Sequence, residues 1–265
     1  MITQRALPPN IVDPIPRFEV SRKLRIVKEA IGAYVGRRTV SPVEYCVSPA
    51  DDVIYVINPK AACTSIIAEI LRHNGHQLGT LDIGEQLSLH DLAWRMGLKP
   101  SRRKLPAAFM FSIVRNPLTR LVSFYEDKFR GFLEARYSSF LLEDYLGGVF
   151  RPTMSFEQVA RTVARIPDRL AERHFKSQSY LLTVEVPRVD YVGRLENIAD
   201  VVRDLRDKID LSGLNRLLAT EPKPLSAYYD RKLFDVVCKR YRQDIERFGY
   251  AEEVARLGNQ LVPAP

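Results

Sequence analysis

Two uninterrupted apolar runs, each followed by a polar loop and then by an amphipathic helix, constrain the fold of this chain more than any other feature. The first run, VIYVI, covers Val53–Ile57, and the second, FMFSIV, covers Phe109–Val114. Neither run alternates apolar with polar residues, which is typical of parallel strands covered by helices on both faces. Strands that alternate with helices in this way predict an α/β fold with a central, mostly parallel sheet.

Other periodic segments extend this pattern along the chain. A helix is predicted after Lys60 and ends near Gly75, and further strands are predicted at Tyr45–Val47 and Val189–Gly193. Helical spacing recurs in the segments 20 to 35, 117 to 132, 134 to 146, 155 to 165, 197 to 208 and 226 to 248. We predict a single domain over residues 21 to 260, preceded by a proline-rich arm at residues 1 to 20.

The charge balance favours an anionic ligand. The 265 residues include 40 Lys and Arg against 32 Asp and Glu, a net charge of +8. Such a surface suits nucleotides, phosphate or sulfate esters, acidic glycans or nucleic acid, and it is also found on basic proteins without such a ligand.

The cysteines and the first twenty residues bear on where the protein works. Cys46, Cys63 and Cys238 are odd in number and widely spaced, which argues against a disulfide scaffold or a zinc site. Residues 1 to 20 contain four prolines and no long apolar run, so they predict neither a signal peptide nor a transmembrane span. We therefore expect a cytoplasmic protein with no transmembrane segment and no metal.

Both strand exits carry groups that can bind an anion. In the first anion loop, residues 58 to 65 (NPKAACTS), Lys60 supplies a charge, Thr64 and Ser65 supply hydroxyls, and the small residues let backbone amides approach a ligand. In the second, Arg115 ends the strand and Ser123 follows eight residues later on the next helix. Two anion sites on neighbouring strand ends fit a ligand with phosphates at both ends.

The first anion loop is not the phosphate loop of a nucleotide kinase. The pattern GxxxxGK[ST] is missing, since there is no glycine between Asn58 and Gly75, and no nearby strand-end aspartate could hold magnesium.

These residues resemble the sulfotransferase superfamily that uses 3′-phosphoadenosine 5′-phosphosulfate (PAPS). "NPKAACTS" is similar to its 5′-phosphosulfate loop, in the PKxxCT form of the carbohydrate sulfotransferases grouped as sulfotransferase family 2. "VRNPLTRLVSFYEDKF" is similar to its 3′-phosphate motif, RxPxxRLVSxYxxKF. "ERHFKSQSYLL" with "VDYVGRLENI" is a weaker match to the C-terminal half. The resemblance spans roughly residues 45 to 205 and implies a P-loop-like three-layer fold.

The resemblance implies a role for each matching residue. Lys60 would contact the 5′-phosphosulfate and stabilise the leaving oxygen, and Arg115 and Ser123 would hold the 3′-phosphate. The loop that would hold the 5′-phosphate comprises Ala61, Ala62, Cys63, Thr64 and Ser65. Cys63 is interpreted as a small packing residue, because direct sulfuryl transfer needs no covalent intermediate.

The second helix carries a polar stripe whose role is open. Arg120, Ser123, Asp127 and Arg130 recur at spacings of three and four, and we expect this stripe to be exposed. Arg120 therefore needs no functional explanation.

Transfer to a hydroxyl needs a general base. His90, in "LSLHDLAW", lies in the interval where related glycan sulfotransferases carry their catalytic histidine, and it is the first candidate. His174, in "ERHFKSQSY", is the rival, and a carboxylate such as Glu85 or Asp91 is a third possibility. The other two histidines, His73 and His76, are expected on the surface.

The acceptor is less defined than the donor. The PKxxCT form and the position of His90 favour a carbohydrate hydroxyl, and the basic segments 99 to 106 and 161 to 176 could bind an acidic glycan. The alternatives are a small phenol or alcohol acceptor, or a non-catalytic nucleotide-binding or nucleic-acid-binding protein. Aromatic residues interleaved on a basic face, typical of nucleic-acid binding, are not found. Animal Golgi members of the family carry a membrane anchor and cysteines near the histidine motif. This sequence shows neither feature, so we expect a bacterial enzyme.

Overall fold

The computed structural model describes residues 43–48, 52–73, 75, 89–90, 92–98, 108–130, 145–186, 188–214 and 224–261. Several predictions lie outside these residues: the arm at 1 to 20, the helix at 20 to 35, the basic segment 99 to 106, His76, Glu85 and Asp91. Of the predicted helix at 134 to 146, only the end is described, as part of a 3-10 helix at Tyr145–Gly147.

A mixed sheet lies at the centre of the described chain, with its strands in the order β1-β2-β3-β4. The strands are β1 (Glu44–Val47), β2 (Val53–Ile57), β3 (Phe109–Val114) and β4 (Tyr191–Arg194). β1 pairs antiparallel with β2, whereas β2, β3 and β4 run parallel to one another. The prediction of a mostly parallel sheet is confirmed, with the fourth strand slightly later in the chain than predicted.

The described helices are α1 (Cys63–His73), α2 (Pro117–Tyr125), α3 (Phe156–Arg165), α4 (Gln178–Tyr180), α5 (Ile198–Leu205), α6 (Arg231–Arg240), α7 (Arg242–Arg247) and α8 (Ala251–Asn259). Most follow the predicted segments with somewhat different ends, but α4 and α8 were not predicted, and the predicted helix at 226 to 248 is divided into α6 and α7. Two π-helical turns, Glu126–Arg130 and Leu181–Glu185, continue α2 and α4, and 3-10 turns lie at Leu195–Asn197 and Leu225–Ala227.

The sheet separates two apolar cores, because neighbouring strand residues point to opposite faces. Ile54 and Val56 of β2 pack into a core with α2, α3, α6 and α8. Val53, Tyr55 and Ile57 pack into the other core with α1 and α5. Helices on both faces of a central sheet make the three-layer α/β fold that the sequence predicted.

The parallel register brings the two predicted anion sites to one edge of the sheet. Tyr55 of β2 lies opposite Phe111 of β3, so both strands end at the same edge and both loops begin there. Pro117 starts α2 after Asn116, whose side chain accepts a hydrogen bond of 3.0 Å from the Leu118 amide. A capping asparagine followed by proline explains why a helix begins directly at the exit of β3.

The predicted exposed stripe on α2 is wrong at one position. Ser123 is half-buried and Asp127 and Arg130 are exposed, as expected for that stripe. Arg120 is only 2% exposed. Its guanidinium lies inside the fold, where three of its N–H groups donate to backbone carbonyls of two other segments.

Candidate active site

The first anion loop leaves β2 through a turn with two left-handed residues. Lys60 has φ 67° and Ala62 has φ 60°, and neither is glycine. The Ala61 amide donates to the Asn58 carbonyl at 3.3 Å, so it belongs to the turn. A left-handed residue other than glycine costs on the order of 1 kcal/mol or more, and such strain clusters at ligand-binding sites. Surrounding contacts must therefore hold this loop in shape.

The start of α1 presents amides that the helix does not use. The first intrahelical bond runs from the Ile66 amide to the Ala62 carbonyl at 3.0 Å. The amides of Cys63, Thr64 and Ser65 consequently have no acceptor within the helix. An anion is favoured at such a terminus by these amides and by the helix dipole.

The neighbouring side chains suit that arrangement. Thr64 and Ser65 lie in the first turn of α1 and are half-buried. Cys63 packs against the apolar core on this face of the sheet, in agreement with its interpretation as a packing residue.

Gln178 joins the ends of β2 and β3. Its Oε1 accepts from Asn58 Nδ2 at 2.8 Å and from the Arg115 amide at 2.9 Å, while its Nε2 donates to the Arg115 carbonyl at 2.7 Å. Asn58 Nδ2 also donates to the Ile113 carbonyl at 2.9 Å. The three sequence motifs therefore meet in one hydrogen-bonded centre.

Arg115 contacts both anion sites. Its Nη1 donates to the Lys60 carbonyl at 3.3 Å, and its Nε donates to Thr119 Oγ1 at 3.1 Å. Thr119 and Ser123 are four residues apart on α2 and share a face of the helix. The guanidinium of Arg115 thus lies on the face that carries Ser123, beside the first anion loop.

The buried Arg120 fixes the position of both the first anion loop and the segment around His174. It donates to the Pro59 carbonyl at 2.9 Å, to the Lys176 carbonyl at 2.8 Å and to the Arg173 carbonyl at 2.8 Å. A buried guanidinium is stabilised by such bonds because each replaces a lost contact with water. Arg120 is therefore a structural residue that joins the backbone next to Lys60 to the backbone on both sides of His174.

Lys60 forms an ion pair at the rim of the site. Its Nζ lies 3.0 Å from Asp127 Oδ2, and Lys128 Nζ lies 3.0 Å from the same oxygen. Asp127 and Lys128 belong to the π-helical turn after α2. Single π turns inside helices frequently occur at functional sites.

His174 is paired with a buried carboxylate. Its Nδ1 lies 2.8 Å from Glu172 Oε2, and its backbone amide donates to the same oxygen at 2.8 Å. Burial opposes ionisation of Glu172, but the charges of His174 and Arg173 and the hydrogen bonds from His174 lower its pKa to about 2. A carboxylate can only accept, so Nδ1 carries the proton and Nε2 is the basic nitrogen of the neutral ring.

The pKa of His174 is lowered from its ordinary value. Burial is the largest cause; the Glu172 charge acts in the opposite direction, and the nearby Lys128 charge lowers the pKa further. The imidazole is therefore neutral at neutral pH, as a general base must be. The influence of Lys128 also places His174 in the same electrostatic neighbourhood as the ion pair of Lys60.

His90 lies in a segment whose C-terminal end reaches β1. It is half-buried, and its neighbours Leu89 and Ala93 pack into the core on the α1 and α5 side. The same segment ends at Leu98, whose carbonyl accepts from the Val47 amide at 2.8 Å. Val47 pairs with the beginning of β2, at the opposite end from Lys60. Among the remaining histidines of the described chain, His73 is exposed at the end of α1.

Three residues of this site were not assigned a function from the sequence. In the sequence, Asp127 belongs to an amphipathic stripe. Its spacing of four from Ser123 indicates that the two side chains share a face of the helix. Glu172 lies two residues before His174, and a carboxylate so close to a candidate base is a weak signal. Gln178 has no signal at all, because its role depends on strand ends that are more than 60 residues away in sequence.

The fold and the site together define an α/β protein with an anion-binding site at the carboxyl edge of its sheet. A family model described as "Sulfotransferase family" matches residues 43–251, well over half of the chain. The chain therefore belongs to the sulfotransferase family and is an enzyme of the PAPS-dependent kind. A comparison with curated proteins and one with solved structures found no match at the threshold used.

No helix in the described part of the chain is both long and apolar enough to cross a membrane. Among the same residues, no group of three or more His, Cys, Asp or Glu side chains could hold a metal ion.

Proposed function

We propose that this enzyme transfers the sulfuryl group of PAPS to a hydroxyl of a carbohydrate acceptor and releases 3′,5′-ADP. The observation that carries the proposal is the hydrogen bond from Arg115 to the Lys60 carbonyl, at 3.3 Å. It joins the 3′-phosphate motif to the 5′-phosphosulfate motif at one edge of the sheet. A ligand with anionic groups at two positions fits this arrangement better than a simple phosphate ester does.

The donor fits the residues that are present. The amides of Cys63, Thr64 and Ser65 would hold the 5′-phosphate, and Arg115 with Ser123 would hold the 3′-phosphate. The amide oxygen of Asn58 is buried and accepts no hydrogen bond from the described residues, so the start of the loop retains an unused polar atom. When bound, PAPS supplies an activated sulfuryl group and a stable leaving group.

Lys60 and His174 would have the chemical roles. The ammonium group of Lys60 would neutralise the charge that develops on the bridging oxygen. His174 Nε2 would accept the proton of the acceptor hydroxyl, while Glu172 would hold the imidazole in the required tautomer. His90 stays a candidate base from the sequence, and the paired carboxylate favours His174.

An acidic carbohydrate is the acceptor class that the surface supports best. A cavity of about 380 Å³ lies along the outer face of α3. It is lined by Arg151, Thr153, Met154, Gln158, Arg161, Thr162 and Arg165. A phenol site would be predominantly apolar, whereas this lining offers arginines and hydrogen-bonding groups suited to carboxylates, sulfates and hydroxyls.

The arginines in this cavity are only partly neutralised. Arg161 Nε lies 2.8 Å from Glu157 Oε1, but no ion pair joins Arg151 or Arg165 to another described residue. The N-terminus of α3 packs against α2, the helix that carries Ser123, because the Phe156 ring contacts the Tyr125 ring at 5.4 Å between centroids.

A thermal-shift comparison tests the donor. With 3′,5′-ADP at one hundred times its Kd, ligand linkage stabilises the fold by about 2.7 kcal/mol, which for a chain of this size raises the Tm by about 5 to 10 °C. Arg115→Ala should lose this shift, whereas Arg247→Ala, a change at an exposed arginine, should keep it. Stabilisation by ATP with magnesium and none by 3′,5′-ADP would contradict the proposed donor.

A further inference from the structure

Asp127 joins two lysines that come from different motifs. Lys60 belongs to the first anion loop and Lys128 to the π-helical turn, yet both ammonium groups lie 3.0 Å from Asp127 Oδ2. Burial opposes ionisation of Asp127, but the two lysine charges and their hydrogen bonds lower its pKa to about 2. The three side chains therefore form a carboxylate-bridged lysine pair with one net positive charge at neutral pH.

Stability does not explain this arrangement. The side chain of Asp127 is 43% exposed, and those of Lys60 and Lys128 are 18% and 23% exposed. Ion pairs as accessible as these contribute little to folding, because solvent screens them and two long side chains lose freedom. A functional explanation is more consistent with their position at the mouth of the donor site.

The rest of Lys60 is already fixed. The carbonyl of the preceding Pro59 accepts from Arg120 Nε at 2.9 Å, and the Lys60 carbonyl accepts from Arg115 at 3.3 Å. Only the flexible four-carbon stem between backbone and ammonium group would remain free. The bond to Asp127 fixes that end too, so Lys60 is held at both ends before any ligand arrives.

We propose that Asp127 is a positioning residue for both lysines. It orients Lys60 toward the bridging oxygen and Lys128 toward the sulfuryl oxygens. Lys128 is then a second cation for the transferred group. This inference rests on the proposed PAPS site. In the reaction, a bond forms between the acceptor oxygen and sulfur, and the bond between sulfur and the bridging oxygen breaks. The electron pair of that bond leaves on 3′,5′-ADP, and the acceptor proton passes to the base.

The lysine pair serves this reaction at two places. Negative charge grows on the bridging oxygen during bond cleavage, and the three sulfuryl oxygens stay anionic throughout. Two ammonium groups bound to one carboxylate can face the bridging oxygen and the sulfuryl oxygens without reorganising at the moment of reaction. Preorganised charge accelerates transfer in this way.

The test measures binding and turnover separately in Asp127→Asn. Removing one negative charge leaves the site more positive, so 3′,5′-ADP should bind at least as tightly as to the wild type, by calorimetry. The single-turnover rate of PAPS hydrolysis, which needs no acceptor, should fall by about tenfold to a hundredfold because Lys60 and Lys128 are no longer oriented. Asp127→Glu should recover part of the rate.

A matched control and a second variant separate positioning from a structural role. Glu126→Gln removes the neighbouring carboxylate of the same turn, which pairs with Arg130 at 3.1 Å, and should leave the rate near that of the wild type. Lys128→Met should weaken binding of PAPS more than binding of 3′,5′-ADP, because only PAPS carries the sulfuryl group.

Three results would overturn the role of Asp127. The first is an unchanged rate in Asp127→Asn. The second is a faster rate, which would show that Asp127 restrains Lys60. The third is a fall in Tm that by itself accounts for the loss of rate. A wild-type protein that fails to bind 3′,5′-ADP would instead contradict the proposed donor, and both proposals would fail together.

Discussion

At the scale of single residues, the charge of His174 is set by neighbours that act in opposite directions. Burial and the charge of Lys128 lower its pKa, and Glu172 raises it, with a net lowering. A base must be neutral to accept a proton, so activity should fall as the pH drops through this pKa. Because the pKa is lowered, that fall should have its midpoint below pH of about 6.5, the ordinary value for histidine.

Substitutions of two of the charged neighbours, Glu172 and Lys128, should move this midpoint in opposite directions. Glu172→Gln removes the charge that raises the pKa of His174, so the midpoint should move to lower pH. The plateau rate should also fall, by about tenfold to a hundredfold, because the imidazole loses its charged acceptor. Lys128→Met removes a charge that lowers the pKa, so the midpoint should move to higher pH. The measurement is the pH dependence of PAPS turnover.

Two histidine variants complete this test. His174→Ala should remove nearly all activity, whereas His90→Ala should retain it with an unchanged pH profile. A profile that ignores Glu172 and Lys128 but collapses in His90→Ala would assign the base to His90.

The scale of elements explains why this site is rigid. The ends of β2 and β3 carry the two anion sites, and Gln178, in the short helix α4, binds both ends. Asp244 of α7 accepts from the Gln178 amide at 2.9 Å, so the C-terminal helices support the same centre. Three elements distant in sequence therefore determine the separation of the two proposed phosphate positions.

Gln178→Ala should damage stability and donor binding together. The substitution removes the partners of the Arg115 amide and carbonyl and one of the two acceptors of Asn58 Nδ2. Each buried polar group left without a partner costs about 1 to 3 kcal/mol. We expect the free energy of unfolding in urea to fall by at least that amount and the Kd for 3′,5′-ADP to rise. Gln260→Ala, at an exposed position at the end of α8, is the matched control and should change neither. Loss of stability with unchanged affinity would show that Gln178 supports the fold only.

Most of the elements, though not α4 and α8, could be predicted from the sequence because they depend on local pattern. The uninterrupted apolar runs identify β2 and β3, and the cap of Asn116 with Pro117 identifies the start of α2. The burial of Arg120 could not be predicted in this way. Helical spacing places it on the polar stripe, but its three carbonyl acceptors come from segments more than 50 residues away.

At the scale of the whole molecule, the distribution of charge matters more than its sum. The net charge of +8 is compatible with many ligands. The cavity along α3 concentrates positive charge at one place, since Arg151 and Arg165 have no ion pair with the described residues. Such local concentration attracts polyanions and is weakened by salt.

Charge reversal at this cavity should therefore affect an acidic glycan selectively. In Arg151→Glu with Arg165→Glu, the affinity for chondroitin, used as a uronic-acid probe, should fall by about tenfold at low salt, and the difference from the wild type should shrink as salt rises. The matched control is Arg247→Glu with Arg256→Glu, which changes the net charge by the same amount at two exposed helical positions. It should lose much less affinity because the charge of the cavity is intact.

Binding of 3′,5′-ADP should be unaffected in both variants, which keeps this test separate from that of the donor. Equal losses in the two double variants would mean that chondroitin responds to overall charge, and the cavity would then have no special role in acceptor binding.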